Sequence, residues 1–292
     1  MNETMVPANG VDLCVSTFGE RADPAVLLIA GGASSMDWWE DEFCRRLAAG
    51  GRFVIRYDHR DTGRSTSFPA GSPPYSSVDM ANDALGLLDA LDVDRAHIVG
   101  LSLGGGLAQR IAVEHPSRLL SLILMSTAPG PSASSPDPVD ADPVDADPGE
   151  PADPGEDVET DWSDRKSAVD RLVADVREMG GPFTADEPQL RRLAERVFDR
   201  TTDMAASQTN HWIARGGSPI RERLGTISVP ALVLHGTQDP LFPMTDAEAL
   251  AREIPGARLV MLEGVGHEFP PDAVWNQVIG EILRVDAPGG AS

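Results

Sequence analysis

The stretch "HIVGLSLGGGLAQRIA", residues His97 to Ala112, places a serine between glycines where an aliphatic run stops and a helical pattern starts. "AHIVG" has the β-branched look of a short buried strand, while "GGGLAQRIAVEH" spaces Leu107, Ile111 and Ala112 as one helical face. Ser102 therefore lies at a strand-to-helix junction. Working outward, the same alternation recurs. "DLCVSTF", "AVLLIA", "FVIRY", "LLSLILM", "ALVLHG" and "RLVMLEG" read as strands, and "DEFCRRLAAG" and "VDMANDALGLLDAL" as helices. Strands alternating with helices imply an α/β architecture with a mostly parallel sheet covered on both faces, the opening strand and its neighbour forming an antiparallel pair at one edge.

Composition narrows the function classes. The chain of 292 residues carries a formal charge of −22 and only one lysine, Lys166. So acidic a surface repels phosphate backbones and anionic lipid, which argues against nucleic-acid and membrane partners. No apolar run reaches spanning length, and "MNETMVPANG" lacks the basic-then-apolar pattern of a secretory signal, so a cytoplasmic location is the expectation. Cys14 and Cys44 have neither a disulfide framework nor metal-type spacing and are expected as plain buried thiols.

One segment breaks the alternation. Residues 129–162, "PGPSASSPDPVDADPVDADPGEPADPGEDVETDW", are Pro, Asp, Gly and Ser with few apolar side chains. They contain a tandem "PVDAD" and hold eleven acidic residues, half of the net charge. Such a composition cannot offset the entropy of ordering, so a disordered linker is expected. The repeats put proline where calcium loops need a turn glycine, which disfavours an ion site. Three helical patterns follow without a strand: "RKSAVDRLVADVREM", "ADEPQLRRLAERVFD" and "TDMAASQTNHWIAR". The partition expected is a core of residues 1–128 and 220–292, the linker at 129–162, and a helical cap at 163–219 inserted before the last two strands. The cap residues Leu172, Val173, Val176, Met179, Leu190, Leu193, Val197 and Phe198 offer an apolar supply, part of which is expected to line a pocket.

"GLSLG", Gly100 to Gly104, fits the G-x-S-x-G nucleophile elbow, in which a sharp turn lifts the serine oxygen clear of the sheet. The bare pattern arises by chance in roughly one sequence in five of this composition, so the strand before it and the helix after it carry the assignment. A nucleophile at Ser102 needs a base and an orienting acid, supplied by this kind of fold in the order Ser, Asp/Glu, His. Of His59, His97, His115, His211, His235 and His267, only His267 follows a late strand on a glycine-flanked loop ("RLVMLEGVGH"). His97 and His115 read as structural, and His211 as a cap residue, at the surface by preference and against substrate as the alternative. Asp239 ends the turn "GTQD" after "ALVLHG", whereas Asp246 opens a helix and suits a first-turn charge. The oxyanion hole draws one N–H from Leu103 and a second from the loop "GGASSMDWW", with Gly32 the choice and Ala33 the alternative.

These stretches together resemble the α/β-hydrolase superfamily. "ADPAVLLIAGG", "VIRYDHRDTGRST", "VDRAHIVGLSLGG" and "VPALVLHGTQDP" are similar to the aclacinomycin methylesterase branch, with Asp61 standing where most relatives have glycine. The resemblance covers residues 1–128 and 220–285. It implies methyl-ester cleavage on anthracycline-type aromatic polyketides in antibiotic biosynthesis, with Ser102, Asp239 and His267 as the triad and Gly32 and Leu103 as the oxyanion hole. The expectation is a cofactor-free, metal-free serine esterase acting on a small-molecule ester. Two other readings share the features: a hydrolase of carbon–carbon bonds using the same triad, and a non-catalytic ligand-binding protein of this fold. "SDRK" at Ser163–Lys166 mimics S-x-x-K but lacks its partner motifs, and "GGG" at Gly104–Gly106 lacks dinucleotide-loop spacing.

Overall fold

The computed structural model describes residues 3–130, 132 and 160–285. The linker expected at 129–162 falls almost wholly outside the described residues. The strands are β1 (Glu3–Ala8), β2 (Val11–Phe18), β3 (Ala25–Ile29), β4 (Phe53–Tyr57), β5 (Ala96–Leu101), β6 (Leu119–Met125), β7 (Ala231–Gly236) and β8 (Arg258–Leu262). They form one sheet in the order β1-β2-β4-β3-β5-β6-β7-β8. β3, β4, β5 and β7 are buried at every position, the reason their sequences are largely apolar rather than alternating, with Arg56, His97 and His235 as buried polar exceptions. β1 and β2 are antiparallel, as are β2 and β4, and the remaining pairs are parallel. The edge strand β1 was not among the strands expected. Pro7 obscures it, and an edge position is where a strand tolerates a missing N–H.

The helices are α1 (Asp41–Ala49), α2 (Ser77–Ala90), α3 (Leu103–Glu114), α4 (Arg165–Met179), α5 (Glu187–Arg200), α6 (Met204–Ile213), α7 (Met244–Glu253) and α8 (Trp275–Arg284). One apolar cluster fills the sheet face under α2, α3 and α7, with Leu27, Leu88, Ile98 and Leu250 within it. The other face packs Val26, Phe43, Val99, Trp275 and Ile279 from β3, α1, β5 and α8. α4, α5 and α6, the helices of the segment expected as a cap, fall between β6 and β7. Each starts on an aspartate (Asp164, Asp186, Asp203) whose carboxylate accepts a backbone N–H from the first turn, so part of the acidic surplus serves as caps.

The apolar residues of these three helices pack largely on one another. Leu172, Val173, Leu190 and Val197 are buried in a cluster of the cap's own, with Val176, Leu193 and Phe198 packed against it. Three short helices must cover one another's stripes before they can line anything else. Among the described residues, the large apolar side chains left exposed are Phe183, Trp212, Ile213 and Leu241, together with Met5 and Met261.

Candidate active site

Ser102 follows β5 with φ 52° and ψ −119°, a left-handed conformation costing about 1–3 kcal/mol for a residue with a side chain. The surroundings over-determine it. Its N–H donates to Met125 O at 3.0 Å, and its carbonyl accepts from Gly105 N at 2.8 Å and Thr127 Oγ1 at 2.9 Å. The flanking glycines are steric necessities. A Cβ on Gly100 would stand 2.2 Å from Gly104 O, and one on Gly104 would stand 2.5 Å from Ala30 O.

His267 sits past β8, its N–H donating to Met179 O of the cap at 2.7 Å. Its Nε2 is 3.0 Å from Ser102 Oγ and its Nδ1 is 2.9 Å from Asp239 Oδ2. Asp239 also accepts the N–H groups of Leu241 and Phe242, each at 2.9 Å, through Oδ1. Burial disfavours its charge, but the imidazole and these two N–H groups outweigh it and hold the carboxyl below its ordinary range. An ionised Asp239 can only accept, so Nδ1 donates, and Nε2 is left to accept the serine hydroxyl. The three expected residues thus meet in one relay. Asp246 lies in the first turn of α7.

The loop after β3 reaches the same place. A Cβ on Gly31 would stand 3.6 Å from Ser102 Cβ, and one on Gly32 would strike the Trp212 ring at 2.5 Å. Of the two oxyanion candidates there, Ala33 already donates its N–H to His211 Nδ1 at 3.0 Å. The surface placement expected for His211 is incorrect. It is buried, with Nε2 2.9 Å from Arg60 O, because α6 docks its last turn against two core loops at once. His97 lies in β5 against Ser121 Oγ, and His59 and His235 are buried against Ala30 O and Phe242 O. His115 caps α3.

The loop "YDHRDTGRS" does not enter the relay. Asp58 accepts from Met36 N at 2.8 Å and Arg64 N at 3.0 Å, and pairs with Arg200 of α5 at 2.6 Å. Gly63, at φ 52°, leaves room for that carboxylate: a Cβ would stand 2.1 Å from Asp58 Oδ2. Asp61 also has positive φ, 68°, and binds Phe68 N, Tyr75 OH and Asn210 Nδ2. Cys14 and Cys44 are free and buried, burial pushing both thiols up to about 12, which leaves them inert. Among the described residues, no three His, Cys, Asp or Glu side chains converge as a metal site requires, and no helix is long and apolar enough to cross a membrane.

Residues 24–273 match the family model described as alpha/beta hydrolase fold. The chain is 36% identical to the rhodomycin D methylesterase DauP of Streptomyces sp. (strain C5), over 92% of this chain and 93% of that protein. It is likewise 36% identical to the rhodomycin D methylesterase DnrP of Streptomyces peucetius, with the same coverages. The solved enol-lactonase from Burkholderia xenovorans LB400 superposes with a TM-score of 0.72 at 24% identity, covering 97% of this chain and 99% of that one, which shows a shared fold.

Proposed function

The chain belongs to the alpha/beta hydrolase fold family, and from that premise we propose that it is a serine esterase cleaving a small-alcohol ester, methyl above all, of a bulky and largely apolar acid such as an aromatic polyketide. The observation that carries this reading is the relay itself, Ser102 Oγ at 3.0 Å from His267 Nε2 and His267 Nδ1 at 2.9 Å from Asp239. In this proposal residues 1–128 and 220–292 form the catalytic core, and residues 163–219 the cap that shapes the acyl site.

Ser102 Oγ attacks the ester carbonyl carbon while His267 Nε2 takes its proton, and Asp239 orients the imidazole and stabilises its cation. The carbonyl oxygen becomes an oxyanion that accepts from the N–H groups of Leu103 and Gly32. Ala33 is set aside for this role because its N–H is engaged by His211. Collapse expels the alcohol, which leaves with the proton from His267. Water, deprotonated in turn by His267, attacks the acyl-serine, and the carboxylic acid departs as Ser102 regains its proton.

The acyl preference is supported by the two methylesterase relatives and by the exposed apolar side chains near the relay. Trp212 lies over Gly32, Leu241 follows Asp239 by two residues, and Phe183 packs at Gly264 on the His267 loop. The acidic surface disfavours polyanionic substrates through repulsion and slower encounter. The test is a panel pairing methyl esters of polycyclic aromatic acids with short-chain acyl esters of equal intrinsic reactivity. Higher kcat/KM is expected for the first set. An equal or reversed preference overturns the methylesterase part and leaves the esterase part, while no turnover of either set by the folded chain overturns both.

A further inference from the structure

Three consecutive residues at the end of α6 reach from the cap into the core. Asn210 Nδ2 donates to Asp61 Oδ2 at 3.0 Å, and its Oδ1 accepts Gly71 N–H at 2.8 Å. Trp212 lies over Gly32. His211, between them, touches Ala33 N at 3.0 Å and Arg60 O at 2.9 Å. A backbone N–H can only donate and a carbonyl can only accept, so the tautomer is determined: Nδ1 accepts and Nε2–H donates. Burial pulls the His211 pKa below its ordinary value, which keeps the Nδ1 lone pair available. The charged and titratable groups around it are Arg60, Asp61 and the His59 ring, 5.6 Å away and held neutral by burial at about 3.

Ala33 is the reason these contacts matter. Its φ is 57°, a conformation that costs an L-residue roughly 1–2 kcal/mol and persists only where neighbours impose it. Both faces of its backbone are held by α6. The N–H goes to His211 and the C=O accepts from Gln208 Nε2 at 3.1 Å. Gly31 and Gly32 precede it directly, and Gly31 lies against Ser102.

We propose that His211 is a positioning residue for the oxyanion loop: through Nδ1 it holds Ala33 in its left-handed conformation and so aims the neighbouring Gly32 N–H at the ester oxygen. The cap then completes the catalytic machinery as well as shaping the pocket. The inference rests on the esterase reading above.

The experiment uses the full chain with three substitutions. His211→Asn keeps an acceptor where Nδ1 stands and loses the Arg60 contact, whereas His211→Gln keeps a donor toward Arg60 O and loses the Ala33 acceptor. His211→Ala loses both. With a p-nitrophenyl ester, His211→Ala and His211→Gln are expected to lose about 100-fold in kcat with KM within about threefold, and His211→Asn to stay within about tenfold of wild type. Amide hydrogen exchange at Ala33 should quicken in the Ala and Gln variants and not in Asn. Should His211→Ala fail to fold, the Asn and Gln pair decides. An Asn variant no better than Gln, or Ala33 exchange unchanged by loss of the acceptor, overturns the proposal. If wild type turns over no faster than Ser102→Ala, the esterase reading is what has failed, and Ala33 exchange alone then judges the His211 contact.

Discussion

At the C-terminal ends of the strands, Ser102, Asp239 and His267 are placed mainly by backbone. Ser102 N–H reaches Met125 O, Ser126 N–H reaches Leu234 O, and Gln238 N–H reaches Val265 O, so each loop is tied to the adjacent strand or loop. The cap is seated largely by side chains, beside two backbone bonds to the core, Thr202 N–H to Gly63 O at 2.8 Å and Ser77 N–H to Arg215 O at 2.9 Å. Arg200 of α5 pairs with Glu3 at 2.9 Å, Asp58 at 2.6 Å and Asp37, while Asn210 and His211 of α6 hold Asp61, Arg60 and Ala33. One backbone bond, His267 N–H to Met179 O, links the cap to the relay. The difference has a consequence. A backbone ladder survives most substitutions, whereas a buried ion cluster fails when one member goes, because the remaining charges stay buried and unpaired.

The largest effects should lie in the backbone-placed set. Ser102→Ala or His267→Ala is expected to lower turnover about a million-fold, and Asp239→Asn about ten-thousand-fold, with circular dichroism and melting nearly unchanged. Retention of a tenth of wild-type activity by Ser102→Ala would break the contrast at its chemical end.

Stability should respond in the cap seat. Arg200→Met leaves Asp58 buried without its guanidinium and Asp37 with Arg196 alone, and is expected to cost about 3–5 kcal/mol. Burial already pushes the Asp58 carboxyl up against the pull of Arg200. A carboxyl raised in the folded state binds its proton more readily there than in the unfolded chain, so folding gains as pH falls. Without Arg200 the carboxyl rises further, and the variant's deficit should be greatest near pH 8 and shrink toward pH 5. Melting curves of both proteins at the two pH values check this, and parallel curves would show that the cluster does not seat the cap.

The smallest effect concerns Asp61. Asp61→Gly removes the acceptor for Phe68 N–H, Tyr75 OH and Asn210 but relieves a positive φ. The losses of about 1–3 kcal/mol outweigh the relief of about 1 kcal/mol, so a modest fall in Tm is expected. Asp61→Asn should recover part of it. A Tm raised by glycine would mean that the carboxylate contributes nothing to cap docking.

The strands of the core and the helices of the cap were legible because burial on both faces and helical spacing both write themselves into consecutive residues. "RKSAVDRLVADVREM" coincides with α4 and "LLSLILM" with β6. The relay was legible for a related reason: Ser102, Asp239 and His267 each follow a recognisable strand, and a parallel sheet brings such ends to one edge. β1 was not, since its proline hides a strand that only the pairing with β2 reveals. The apolar stripe of the cap was visible, but its partner was not, because periodicity says which face is buried and not what covers it.

By itself, then, the sequence determined the α/β alternation, the strand-to-helix junction at Ser102 and the strand ends that Asp239 and His267 follow, each of them a local pattern. Tertiary structure alone decided that His211 is buried and that its Nδ1 meets Ala33 N–H, a contact spanning 178 residues of chain. It also decided that Arg200 gathers Glu3, Asp37 and Asp58 into one cluster. Such contacts depend on how the cap docks, and docking is set by the summed shape and charge of two surfaces rather than by any neighbouring residues in the chain.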